Sequence, residues 1–186
     1  KYHLPEAVPF RKIIKEHLGK GFSKTHLANA DDTIVLQYTG GTTGVAKSAE
    51  LTNRSLIANI LQAGSALDQQ SETGKPVLSA EQSIMVAPLP LYHIYSFAVH
   101  LFVFFRIGKH SVLIANPRDT ETFIKAMKPF KISGITGLNT LFVSLMESAQ
   151  FKALDFSKMA LTISGGTALF EDTAKRWKQI TGVGIS

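Results

Sequence analysis

The sequence predicts an α/β fold, a parallel, doubly wound sheet with helices on both faces, and three observations carry that prediction. Its strand-like segments are short continuous apolar runs, which is what strands buried on both faces require. Each of the later ones is followed by a stretch of helical apolar spacing, and parallel strands need such crossover connections. The chain has 186 residues, 45% hydrophobic and 18% charged, enough to bury one sizeable core.

Taken in order, Val8, Ile13, Ile14 and Leu18 form an apolar set between Glu6 and Leu18, with Pro9 near the start and Gly19 and Gly21 beyond the end. That is the pattern of a short amphipathic helix. A polar loop runs to Asp32. Thr33 to Tyr38 (TIVLQY) reads as a strand that enters a glycine-rich loop at Gly40 and Gly41. Thr52 or Asn53 is placed to cap a helix carrying Leu56, Ile57, Ile60, Leu61 and Leu67. Asp68 to Ala80 is the most polar segment of the middle third and reads as a surface excursion.

Beyond it strands and helices alternate. Ser83 to Ala87 predicts a strand, Tyr95 to Ile107 a buried helix, and Ser111 to Ala115 a strand. Glu121 to Phe130 predicts a helix capped by Asp119 or Thr120, followed by a strand from Ile132 to Thr136 and a helix from Thr140 to Ala149. A strand from Met159 to Ser164 and a helix from Phe170 to Thr181, closed by Gly182, complete the pattern. Periodicity assigns Tyr95, Phe102, Phe104 and Phe105 to the core.

Composition excludes several functions. With no cysteine there is no disulfide scaffold, thiolate metal site or cysteine nucleophile, which fits a reducing, cytoplasmic compartment. His3, His17, His26, His100 and His110 have no partner spacing that suggests a metal site. Twenty Lys and Arg against 14 Asp and Glu leave a net charge of +6, which favours anionic partners. The basic residues fall in small groups such as Arg11, Lys12 and Lys15, at the spacing of a solvated helix face, so no nucleic-acid partner is expected. The longest apolar run, Ile94 to Phe105, is far short of the roughly 18 to 20 residues that cross a bilayer. There is no initiator Met, and the sequence stops in an apolar stretch where a strand would continue, so we expect a piece of a longer protein.

The most informative stretch is Tyr38 to Lys47, YTGGTTGVAK. Glycines let backbone N–H groups converge, threonine hydroxyls add donors, and a lysine supplies a point charge, a composition suited to a polyphosphate. The plain alternative is a polar glycine turn. Read from Gly41, GTTGVAKS falls one residue short of a Walker A loop, because Ala46 stands where that pattern has glycine. A P-loop triphosphatase or kinase is therefore the second reading. Gly165 and Gly166 after a strand suit either a tight turn or the close approach of a flat ring. His93 lies at a strand end, where open parallel sheets place ligand-binding residues, or serves as a hydrogen-bonded structural histidine. Asn139 and Thr140 either line a pocket or cap a helix.

Tyr38, Thr39, Gly40, Gly41, Thr42, Thr43, Gly44 and Lys47 closely resemble the signature loop of adenylate-forming enzymes, [YF]-T-[SG]-G-T-T-G-x-x-K. Pro88 to His93 (PLPLYH), Ile135 to Leu145 (ITGLNTLFVSL) and Ile163 to Leu169 (ISGGTAL) resemble three further blocks of that family in the same order. Together they cover most of the chain from Tyr38 onward and look most like a bacterial long-chain fatty acid CoA ligase. The resemblance implies part of the large N-terminal domain of an enzyme that makes acyl-AMP from ATP and a fatty acid, then acyl-CoA, with Mg2+ on the phosphates. It places the loop residues on the β- and γ-phosphates, Gly165, Gly166, Thr167 and Ala168 along the adenine, and His93 and Asn139 at the acyl and CoA site. Phe97 falls where some long-chain members carry an aromatic gate, with core packing as its rival. A fatty substrate that partitions into bilayers also suits peripheral contact with the inner face of a membrane. Ser48 and Glu50 depart from the glycine and aliphatic residue common after the loop lysine. The family's Y-G-x-T-E glutamate, ribose aspartate and mobile C-terminal domain would all follow Ser186, so the chain alone is not expected to turn over.

Overall fold

A computed structural model of the chain describes residues 5–21, 28–39, 47–67, 78 and 83–186. Helix α1 (Phe10–His17) precedes strands β1 (Thr33–Thr39) and β2 (Lys47–Thr52) and helix α2 (Asn53–Leu67). Then follow β3 (Ile84–Ala87), the short helix α3 (Ile94–Ser96) running into a π-helical segment (Phe97–Phe104), and β4 (His110–Leu113). Helix α4 (Thr120–Met127), β5 (Gly134–Gly137), α5 (Asn139–Glu147), α6 (Ala149–Lys152), β6 (Leu161–Ser164) and α7 (Glu171–Thr181) complete the order.

The four later strands form a parallel sheet in the order β4-β3-β5-β6. The chain enters at β3, steps outward to β4, then returns past β3 to β5 and β6. Its direction therefore reverses between β3 and β5, and the carboxyl ends of those strands flank a switch point, where open α/β sheets leave a crevice. Successive side chains point to opposite faces of a strand, and the core divides accordingly. Val86 and Ile135 pack under α4, α5, α6 and α7 with Phe123, Met127, Phe142, Met146, Phe151 and Trp177. Met85 packs on the other face with Phe104, Leu161 and Leu78. Helices thus cover both faces, as expected.

One expected element differs. Lys47 to Thr52 reads as a loop exit in the sequence but forms β2, antiparallel to β1 and in register Thr39 with Lys47 through Leu36 with Glu50. Only residues 40–46 lie between the two strands, too few for the dozen or more that a parallel crossover needs. A hairpin is the pairing left open. Lys47 to Glu50 are all exposed, so no apolar alternation marks the strand in the sequence. The segment from Asp68 to Ala80 lies outside the described residues apart from Leu78, which is buried.

Several boundaries have legible causes. Thr52 Oγ1 accepts from Ser55 N–H at 3.2 Å, so Thr52 is the residue that closes the start of α2. Asp119 Oδ1 accepts from Thr122 N–H at 3.1 Å and caps α4. Gly182, with φ +79°, ends α7 in the left-handed conformation. The helix predicted from Tyr95 to Ile107 is largely π-helical, and its i to i+5 spacing sets Phe97 edge-on against Phe102 at 4.8 Å. Phe104 is fully buried as expected, whereas Phe105 is 79% exposed and does not join the core. No described helix is long and apolar enough to cross a membrane.

His100, on the π-helical segment, is buried, and burial pushes its pKa down from 6.5 to about 4. Between those values the unfolded chain binds more protons than the folded one. Stability is therefore full above pH 6.5 and falls as pH drops towards 4, by up to about 3 kcal/mol. Urea titrations at pH 7 and pH 4.5 are expected to show a lower midpoint at the acid pH, with a smaller difference between the two pH values in His100→Leu.

Candidate functional site

Three segments meet at the carboxyl edge of the parallel sheet: Pro88 to Tyr95 after β3, Gly137 to Asn139 at the end of β5, and Ser164 to Ala168 after β6. Main-chain hydrogen bonds join the latter two, with Gly165 N–H donating to Gly137 O at 3.2 Å. Asn139, open in the sequence between a pocket and its own helix cap, does not cap its own helix. Leu138 is the N-cap of α5, and Asn139 Oδ1 accepts from Phe170 N–H at 3.1 Å. Asn139 is 6% exposed and so holds the turn between β6 and α7 against the end of β5.

That turn needs glycine twice, for different reasons. Gly166 has φ +78°, a conformation that a Cβ strains. Gly165 is packed face-on by an aromatic ring: a Cβ there would stand 2.9 Å from Cζ of Tyr95. The Tyr95 hydroxyl donates to Ile163 O at 3.3 Å, and burial raises its pKa to about 12, keeping it a neutral donor. Tyr95 is therefore a site residue that periodicity assigned to the core. The signal was its position two residues after His93, on the same segment. Thr167 and Ala168 follow the turn and are exposed.

His93 is also exposed, and it caps α3 by accepting from Tyr95 N–H on Nδ1 at 3.3 Å. With Nδ1 accepting, the neutral ring carries its proton on Nε2 and can offer it outward. The preceding residues are held rigidly: His93 N–H donates to Pro90 O at 3.0 Å, and Ser96 Oγ to Leu89 O at 2.9 Å. Strand β1 reaches this segment as well, since Gln37 Nε2 donates to Tyr92 O at 3.3 Å. Thus the strand that leads into the glycine-rich loop is tied beside His93. Tyr38 and Thr39 end β1 and Lys47 opens β2, paired with Thr39. Gly40, Gly41, Thr42, Thr43 and Gly44 lie outside the described residues.

Between the hairpin, α2 and α3 lies an apolar groove of about 400 Å3, lined by Leu51, Leu56, Ile94, Tyr95, Ala98 and Val99 among others. A larger cavity of about 770 Å3 borders it and shares Ala63, Val99 and Val103. Phe97, half-buried, packs on Phe102 and lines neither cavity.

Fold and edge define a class, an open α/β protein whose ligands sit at the switch point of a parallel sheet. The chain matches the model of the AMP-binding enzyme family over residues 5–186. It is 39% identical over 182 residues to a long-chain-fatty-acid–CoA ligase of Escherichia coli O6:H1, covering 98% of this chain and 31% of the relative. It is likewise 39% identical over 188 residues to the protein of that name from Haemophilus influenzae, covering 100% of this chain and 32% of the relative. Among solved structures, ATP-bound MatB from Rhodopseudomonas palustris aligns with a TM-score of 0.66 at 25% identity, over 84% of this chain and 29% of that one. The chain belongs to the AMP-binding enzyme family. It spans 31% of the length of the Escherichia coli relative.

Membership overturns the P-loop alternative, and the structure supplies the physical reason. A phosphate loop of that kind delivers its lysine to a helix N-terminus, whereas Lys47 opens a β-strand.

Gly165→Ala is expected to push the Tyr95 ring off the turn. The change should appear as a loss of near-ultraviolet circular dichroism and a destabilisation of about 1–3 kcal/mol in urea.

Proposed function

We propose that this chain forms the nucleotide- and acyl-facing core of an enzyme that activates a long-chain fatty acid with ATP and transfers the acyl group to CoA. A carboxylate oxygen of the acid attacks the α-phosphorus, the bond to the β-phosphate bridging oxygen breaks, and pyrophosphate leaves. The thiol sulfur of CoA then attacks the acyl carbonyl and AMP departs. The observation that carries this reading is the convergence of His93, Tyr95, Asn139 and the Gly165–Gly166 turn on one sheet edge, in a chain 39% identical to ligases of that name.

Each group has work in this scheme. Tyr38, Thr39, Gly40, Gly41, Thr42, Thr43, Gly44 and Lys47 bind the outer phosphates through backbone N–H groups, hydroxyls and one cation, each such bond to charge worth about 1.5–3 kcal/mol. Gly165, Gly166, Thr167 and Ala168 give the adenine a flat backbone wall. Nε2–H of His93 donates to the acyl carboxylate and orients it for attack. The neighbouring cavities of about 400 and 770 Å3, the first lined in part by Tyr95, supply apolar room for a long chain. Mg2+ would enter as the counter-ion of the phosphates; among the described residues no three His, Asp or Glu side chains cluster to hold a metal. A cytoplasmic location, with peripheral contact to a membrane that holds the substrate, fits this chemistry.

The test is pyrophosphate release from ATP by the full-length protein carrying this sequence, with and without a long-chain fatty acid. Release that depends on the acid is expected, and release that ignores it overturns the reading. In the same assay Lys47→Ala should raise KM for ATP about 10- to 100-fold. Fatty acid affinity, read by direct titration, should change less than about twofold; equal losses of both would remove Lys47 from the phosphate site.

A further inference from the structure

The scheme above leaves one buried titratable side chain without a role. His100 sits in the π-helical segment, 3% exposed, with Nε2 2.9 Å from Thr136 Oγ1 and Nδ1 3.3 Å from Ser111 Oγ. Ser111 belongs to β4 and Thr136 to β5, which flank β3 on opposite sides. One imidazole therefore spans the central strand at the switch point. Either tautomer satisfies both contacts, since one ring nitrogen donates, the other accepts, and each hydroxyl can do either. The ring also packs edge-on against Phe104 at 5.1 Å, which fixes its plane.

The two ends of this brace lead directly to the candidate site. Thr136 is followed by Gly137, whose carbonyl receives Gly165 N–H, and then by Leu138 and Asn139. In the other direction the helical backbone runs from His100 back to His93, with Phe97 N–H donating to His93 O at 2.9 Å. π-Helical segments are rare and occur frequently at functional sites. Here the segment carries a side chain that links the His93 helix to the end of β5 through the buried Thr136 hydroxyl.

We propose that His100 is a positioning residue: by holding the π-helical segment to Ser111 and Thr136, it sets the separation between His93 and the Gly137–Asn139 turn, and with it the seat of the acyl carboxylate. The proposal rests on the carboxylate-activating reading above. A buried neutral brace of this kind acts through placement, so its loss raises KM for the group it places and leaves the phosphate loop untouched.

The test compares His100→Leu, His100→Gln and Thr136→Val with the unsubstituted full-length protein. His100→Leu is expected to raise KM for the fatty acid about tenfold, with KM for ATP within twofold. His100→Gln, which keeps a polar amide, should recover most of that loss. Thr136→Val keeps the side-chain volume while removing the hydroxyl, so it should show the same KM split even if His100→Leu does not fold. A second readout needs no turnover: with histidines labelled at 13Cε1, the His93 resonance should move in His100→Leu. A lower melting temperature with unchanged KM values, or equal rises in both, would make His100 a packing residue and overturn the proposal. An unmoved His93 resonance would overturn it as well. Failure of the unsubstituted protein to release pyrophosphate in response to fatty acid would instead overturn the ligase reading, and with it the acyl part of this one.

Discussion

Parallel strands cannot be joined by tight turns, and this restriction governs the rest of the molecule. Each step from β3 to β4, from β4 to β5 and from β5 to β6 carries a helical crossover, and those helices bury both faces of the sheet. The strands are only four residues long: β3 (IMVA) is wholly apolar, while β5 (GITG) and β6 (LTIS) each bury a threonine. Glycines gather at the ends of β5 and just after β6. At the carboxyl edge, where the chain reverses direction between β3 and β5, the segments that follow β3, β5 and β6 come together.

The edge is held by a few bonds made at low dielectric, where each counts for more than it would in water. Tyr95 spans from the His93 segment to β6, Asn139 from the start of α5 to the start of α7, and His100 from the π-helical segment to β4 and β5. Trp177 does comparable work in the opposite layer, donating from Nε1 to Thr162 Oγ1 at 3.0 Å while packing on Phe142 and Phe151. These are polar contacts inside an apolar sandwich, so leaving any partner unpaired costs its full desolvation. The hairpin β1–β2 is different. It pairs outside the parallel sheet and is largely exposed.

Much of this was legible one residue at a time. The runs Ser83 to Ala87 and Met159 to Ser164 announced the strands seen at Ile84–Ala87 and Leu161–Ser164, and Asp119, Thr52 and Gly182 announced helix ends, because caps and periodicity are local properties. The glycines and lysine between Tyr38 and Lys47 carry the expectation of a phosphate loop on the same local grounds. Strand β2 escaped notice because four exposed residues carry no apolar alternation. Phe105 was misplaced because an α-helical period was applied to a π-helical segment, in which successive side chains fall at different angles.

By itself, then, the sequence determined the α/β class and most of the element order, both of which follow from spacing within short windows. Only the tertiary structure decided that Tyr95 packs on Gly165, that Asn139 serves the helix after β6 instead of its own, and that His100 bridges two strands across a third. Those contacts join residues 11 to 70 positions apart, and their partners are chosen by strand order and register, which no local window contains.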